Sequence, residues 1–272
     1  MAINNFISTV WSENLLKQLD NRYIGVMHCN REFEGNIDHV GATVKICGLG
    51  NVTVSDYTKN VDMRAPEELS DYVCNLDIDR AKYFNFQIDD VDRAQSNPKI
   101  MDEAMRNAAA GLASEADSYI YSLYEQGSFL ITNDLPTSDN IIENIIDIKT
   151  ELMKNNVMNS DDIVVEVSPE VAAIILKAKI DLGSDNYDAL ETGLLGKVAG
   201  CKIYVSNNIY VDGAYHMCLV RTKRAVAFAE QISEVEAYRP EKRFADAVKG
   251  LHLYGAKVVY PEEFMVLSVA IG

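Results

Sequence analysis

Apolar and polar positions change their period several times along the chain, and each change marks an element. Ala42, Val44 and Ile46 alternate with Thr43 and Lys45, the pattern of a strand with one buried face. After Gly48-Leu49-Gly50 the alternation resumes at Val52 and Val54, and a polar excursion follows from Ser55 to about Asp71. Phe84, Phe86 and Ile88 then alternate with Asn85, Gln87 and Asp89. The spacing predicts a long hairpin over 42–92 whose return strand carries these phenylalanines. Its tip, Tyr57 to Pro66, is long for a hairpin connection, and long ordered loops are usually functional.

A helical period takes over next. Met101, Met105, Ala108, Leu112, Ala116, Ile120 and Leu123 recur three or four apart. Asn97 suits the N-cap, Pro98 the first helical position, and Asp102 and Glu103 the positive end of the dipole. Gly127 predicts the stop. A helix over 98–126 is on the order of 40 Å long, a spine for a chain of this size. Upstream, Ser12 can cap a short helix through Leu19, with Leu15, Leu16 and Leu19 on one face. The rest of residues 1–41 has no period and reads as an extended arm.

Beyond the spine, helices and strands mix. Asn140 to Val157 is amphipathic through Ile141, Ile142, Ile145, Ile148 and Leu152, and Ser168-Pro169 opens a second helix to about Lys179. Ile163–Val167 reads as a short buried strand, and Cys201, Ile203 and Val205 alternate. Met217–Val220, Ala225–Ala229, Leu251–Tyr260 and Phe264–Ala270 are further strands. The order is α+β, without the strict alternation of a doubly wound sheet.

Composition removes several classes. No apolar run reaches the ~20 residues of a membrane helix. The first residues, MAINNFISTVWSENLL, carry no basic segment before Glu13 and do not read as a secretory signal. Folding in the cytoplasm is the expectation. Five cysteines, odd in number and never spaced CxxC, argue against a disulfide framework or a zinc knuckle. They read as buried free thiols. With 25 basic against 41 acidic residues and a net charge of −16, the chain lacks the clustered cations that sequence-dependent DNA binding needs.

The search for chemistry ends without a site. Gly193-Leu194-Leu195-Gly196-Lys197 lacks the glycine spacing and following hydroxyl of a phosphate loop. Gly48-Leu49-Gly50 fits a strand bulge better than a dinucleotide loop. Asp89-Asp90-Val91-Asp92 sits where carboxylates complement a helix dipole. Asp181, Asp185 and Asp188 lack calcium-loop spacing. His28 and Cys29 point to opposite faces if extended. His216 and Cys218 can share a face, but a nucleophile also needs an orienting group and an oxyanion site. No catalytic, cofactor or metal residue is assigned.

The layout of arm, hairpin, spine helix and mixed remainder resembles the major capsid proteins of tailed bacteriophages, the Hong Kong 97-type fold shared by encapsulins and herpesvirus capsid floors. Three stretches carry the resemblance. Leu76 to Asp92 looks like the return strand of the extended loop. Gly200 to Ile209 is similar to a strand of the axial domain. Tyr238 to Val258 looks like the descent into the peripheral sheet. The resemblance implies an N-terminal arm (1–41), an extended loop (42–92), a peripheral domain (93–129 and 238–272) and an axial domain (130–237). It implies a non-enzymatic virion protein whose pentamers and hexamers form an icosahedral shell around the genome. Tyr57, Lys59, Asp62 and Arg64 of the loop and Trp11 of the arm become candidate inter-subunit contacts.

Implied partners are further copies of the chain, a portal, a separate scaffolding protein and, in some relatives, a decoration protein; DNA is enclosed without sequence recognition, and no membrane is involved. The separate scaffold is expected because no cleavable segment is seen before the arm. Crosslinking through Lys59 is not expected, since exposed loop lysines are common. The acidity then reads as a lumen that does not trap DNA. Competing readings are an encapsulin-like compartment, a cytoplasmic α+β enzyme, and a tail-tube protein that should lack the spine helix.

Overall fold

A computed structural model of the chain describes residues 15, 17–32, 41–49, 56, 57, 59, 62, 71–89, 100–157, 162–181, 194–242 and 244–271. The first strands are β1 (Thr43–Leu49), β2 (Asp71–Asp77) and β3 (Arg80–Asp89). Helix α1 (Ile100–Tyr121) follows and tightens into a 3-10 turn over Ser122–Gln126. Then come β4 (Phe129–Asn133), α2 (Ser138–Lys154), β5 (Ile163–Val167) and α3 (Pro169–Asp181). Strands β6 (Leu194–Val198), β7 (Cys201–Val205), β8 (Val211–Asp212) and β9 (Tyr215–Thr222) continue the chain. The long pair β10 (Val226–Tyr238) and β11 (Ala245–Val258) precedes β12 (Phe264–Ala270).

Three sheets result. β1 and β2 form a two-stranded antiparallel hairpin, in register from Thr43 opposite Asp77 to Leu49 opposite Asp71. β3 joins β10 and β11 in a three-stranded sheet of order β10-β11-β3. The third sheet runs β4-β12-β9-β5-β7-β6, with β8 attached to β9.

One expectation about pairing is corrected. The return strand of the hairpin is β2, with Cys74 and Leu76 facing in and Asn75 and Asp77 out. Phe84, Phe86 and Ile88 lie on β3, which pairs with β11, Phe84 opposite Gly250 and Ile88 opposite Asp246. Alternation reveals which face a strand buries, not which strand it pairs with. The strands within 238–272 join two different sheets. β10 and β11 are one hairpin from Val226 opposite Val258 to Tyr238 opposite Ala247, whereas β12 leaves for the third sheet, parallel to β4 and antiparallel to β9.

The third sheet is covered on both faces, which explains why its central strands read as continuous apolar runs. Phe264 and Val266 of β12, with Met217 and Leu219 of β9, face a core shared with α1. Met265, Leu267 and Val269, with Cys218 and Val220, face a second core under α2 and α3. Ile141, Ile145, Ile148 and Leu152 give α2 its buried stripe. Thr137 caps this helix, accepting from the Asn140 amide while the Asn140 side chain accepts from the Thr137 amide.

The 22 residues of α1 span roughly 33 Å, shorter than expected because the last turn is 3-10. Met105, Ala109, Leu112, Ala116 and Ile120 are its buried stripe, packed with Phe228, Val248 and Tyr254 of the three-stranded sheet. Asn97 and Pro98 lie outside the described residues. Gly127 is extended, φ −68°, and is not a left-handed stop. A Cβ there would meet Val266 Cγ2 at 2.9 Å, so this glycine serves close approach to β12. A small third core holds the base of the hairpin, where Ile46, Leu76 and Ile78 meet Ala227, Ala229 and Leu253.

Two glycines separate steric need from helix propensity. A Cβ on Gly255 of β11 would lie 2.2 Å from the Asp77 carbonyl oxygen, so Gly255→Ala pushes the hairpin base off its sheet. Gly111, on the exposed side of α1, has open space. Denaturant unfolding of the unassembled chain should show Gly255→Ala destabilised by about 2 kcal/mol or more. Gly111→Ala should be stabilised by about 0.5–1 kcal/mol.

Candidate functional site

The segment Tyr23–Glu32 of the arm lies across the elements of the body and is held by buried acids from three of them. Asp117 of α1 accepts hydrogen bonds from the Ile24 and Val26 amides, each 3.0 Å. Glu166 of β5 meets His28 Nδ1 at 3.0 Å. Glu230 of β10 accepts from the Tyr23 hydroxyl at 2.5 Å and from Arg31 Nη2 at 2.6 Å. Beyond these, Asn30 pairs its backbone with Val226 and Phe228 along the outer edge of β10.

Arg221 of β9 sits at the centre and is fully buried. It donates Nε and Nη2 to Glu166 at 3.0 and 2.9 Å. It donates Nη1 to the His28 carbonyl and Nη2 to the Gly25 carbonyl, both at 2.7 Å. One planar guanidinium thereby satisfies a carboxylate and two arm carbonyls, a task for which lysine lacks the fork. Burial opposes ionisation of Glu166, but the Arg221 charge and the His28 hydrogen bond outweigh it and hold the carboxyl below its ordinary range.

Glu230 behaves alike. Burial opposes its charge, yet the hydrogen bond and charge of His252, 2.8 Å away, with Tyr23 and Arg31, bring it below the usual value. Asp117 has no cation partner in this cluster. Burial raises it to about 6, against the pull of the Ile24 and Val26 amides. Asp117 and Glu230 carry no local motif that marks them in the sequence. Glu166 was the legible one, a lone charge inside Ile-Val-Val-Glu-Val.

The candidate contact residues fall elsewhere. Tyr57 is 79 % exposed, and Lys59 and Asp62 are exposed beside it in sequence. Arg64 and Trp11 lie outside the described residues. Asp90–Asp92, Asp185, Asp188, Gly193 and Gly50 lie outside the described residues, and among the described residues no group of His, Cys, Asp and Glu could hold a metal ion. Lys197 is on β6 rather than in a loop. Burial pushes the Cys218 thiol up to about 12, so beside His216 it supplies no thiolate. His216 Nδ1 instead meets Ser168 Oγ at 2.8 Å. Cys29, Cys201 and Cys218 are buried free thiols and Cys74 is half-buried. Among the described residues no helix is long and apolar enough to cross a membrane.

No family model and no curated protein sequence matches the chain. Solved structures do. A structure from Mycobacterium phage Che8 is 30% identical, with a TM-score of 0.70 and 90% of each chain covered. The capsid of Cyanophage P-SCSP1u follows at TM-score 0.67 and 16% identity, covering 87% of this chain and 85% of that one. The mature capsid of bacteriophage PhiM1 reaches 0.63 at 16% identity, covering 88% and 87%. The chain belongs to the major capsid proteins of tailed bacteriophages. As a major capsid protein it is a structural component of the virion that self-assembles into the capsid, not an enzyme. The arm lock is therefore a piece of shell architecture, and the exposed hairpin residues are surface of a wall subunit.

Two outcomes check the lock. Arg221→Met leaves Glu166 buried without its cation and two arm carbonyls without donors. The loss should be about 3–5 kcal/mol, with early cleavage of residues 17–32 in limited proteolysis. The pH dependence has a definite sign. The folded pKa of Asp117 is raised, so its folded state binds protons more tightly, and stability grows as pH falls through about 6. Glu166 and Glu230 are lowered, so their contribution is lost only as pH falls below the ordinary carboxylate range. Between pH 7 and 5 the chain should gain about 1 kcal/mol, and Asp117→Asn should abolish that slope in urea titrations.

Proposed function

We propose that this capsid protein forms both pentamers and hexamers and closes them into an icosahedral shell around phage DNA. The observation that carries the reading is the pairing of a 30% identical phage structure, matched over 90% of both chains, with a hairpin whose base is buried and whose described tip residues Tyr57, Lys59 and Asp62 are exposed. A two-stranded ribbon is marginal alone, and its open edges favour pairing with another chain. The third sheet with α2 and α3 is the axial unit that meets its copies around five-fold and six-fold axes. α1 with the β10-β11-β3 sheet is the peripheral unit. On this reading β12 goes with the axial unit and Val226–Tyr238 with the peripheral one, a division supported by the sheets these strands join.

The arm and the hairpin reach onto neighbours, and ring closure follows from such heterologous contacts. Subunits fold and assemble in the host cytoplasm, with a separate scaffolding protein and a portal. The net charge of −16 supports a lumen that repels packaged DNA.

Replacing Gly50–Ser70 by a short Gly-Ser turn tests the hairpin's role. The shortened chain should keep its melting transition and fail to form closed shells in electron micrographs. Normal shells would refute the role. Shells that hold protein cargo and no DNA would assign the particle to cellular compartments instead.

A further inference from the structure

A cleft of about 620 Å³ opens beside the arm lock, where β5 and β7 meet the ends of β9 and α2. Tyr204, Val157 and Val164 form its apolar wall, and Lys202, Lys223 and Arg224 stand around it. Arg224 is engaged by Glu263, and Asp162, also on the lining, has a partner of its own. Lys202 and Lys223 hold no ion pair among the described residues. Unmatched lysines on an apolar wall are notable in a chain of net charge −16. The wall is also rigidly placed. His28, fixed by Glu166, packs on Tyr204 with ring centroids 4.2 Å apart.

The hairpin carries the complementary chemistry. Tyr57 is uncovered, and Asp56 and Asp62 are exposed near it. Between Asn51 and Asp71 the sequence has five acidic residues (Asp56, Asp62, Glu67, Glu68 and Asp71) and two basic ones (Lys59 and Arg64). That is five minus two, a net charge of −3.

We propose that the hairpin tip of one copy docks in this cleft on a second copy, with Tyr57 against Tyr204 and Val157, and with Asp56 and Asp62 on Lys202 and Lys223. The inference rests on the shell-building reading and names the surface that receives the hairpin. An aromatic in a desolvated pocket supplies most of the energy of such a contact. The flanking charge pairs supply register and reject wrong partners. Unpaired lysines also bind phosphates, so packaged DNA is the competing occupant.

The experiment places a photoreactive benzoylphenylalanine at position 57 of the full chain and irradiates assembled particles. Crosslinked peptides are mapped by mass spectrometry. The expected result is an inter-copy crosslink to peptides bearing Lys202–Tyr204, Asn156–Val157 or Lys223–Arg224. Crosslinks to another surface of a second copy overturn the cleft and leave the hairpin's reach intact. Crosslinks only within one copy overturn both.

A second arm pairs Lys202→Glu with Lys223→Glu, and combines them with Asp56→Lys and Asp62→Lys. The lysine pair should lower particle yield about tenfold or more, and the combined variant should restore most of it. Unchanged yield with reduced DNA content assigns the lysines to nucleic acid and overturns the proposal. Lost yield without rescue overturns the stated charge pairing, leaving the crosslink to decide the cleft.

Discussion

Arg221 is the side chain on which the rest of the structure hangs. It is fully buried, and a buried guanidinium is tolerable only when its donors are matched. Glu166 supplies the countercharge from the neighbouring strand. The carbonyls of Gly25 and His28 accept the donors that remain. Those carbonyls belong to the arm, so the charge pair inside the sheet is complete only when the arm is in place. The same demand fixes His28, which positions Tyr204 at the rim of the cleft. A single desolvation problem thereby couples sheet, arm and surface.

The other two acids extend the same logic to the remaining layers. Asp117 faces the arm from the long helix and Glu230 faces it from the three-stranded sheet. The arm therefore acts as a polar seam where α1, the three-stranded sheet and the third sheet converge. Apolar packing alone would let these layers slide, since dispersion and burial are indifferent to direction. Hydrogen bonds to named backbone amides and carbonyls are directional and fix the mutual placement.

What the sequence reveals is bounded by the range of its periodicities. The stripes of α1 and α2 were legible because side chains three and four apart share a face. Ile163–Val167 and Phe264–Ala270 were legible as buried strands because every position is apolar or nearly so. Partner choice was not legible. Phe84 and Phe86 announce a one-sided strand, yet pair with β11, about 160 residues later in the chain. The polar seam was hidden for the same reason: Glu166 and His28 are 138 residues apart. The return strand of the hairpin, Asp71–Asp77, was hidden because its apolar positions are few, and the stronger alternation of Phe84 and Phe86 belongs to another sheet.

The position of β12 has a consequence for the order of events during synthesis. It lies between β4 and β9, though it follows both in the chain. Until β12 leaves the ribosome, those two strands have no shared neighbour, and the two buried faces it completes stay open to water. Of the earlier strands, β4 and β9 are the two that wait on this one. A subunit cut off by stalled translation before Phe264 therefore keeps both apolar faces of this sheet unfinished, however complete the rest of the chain is.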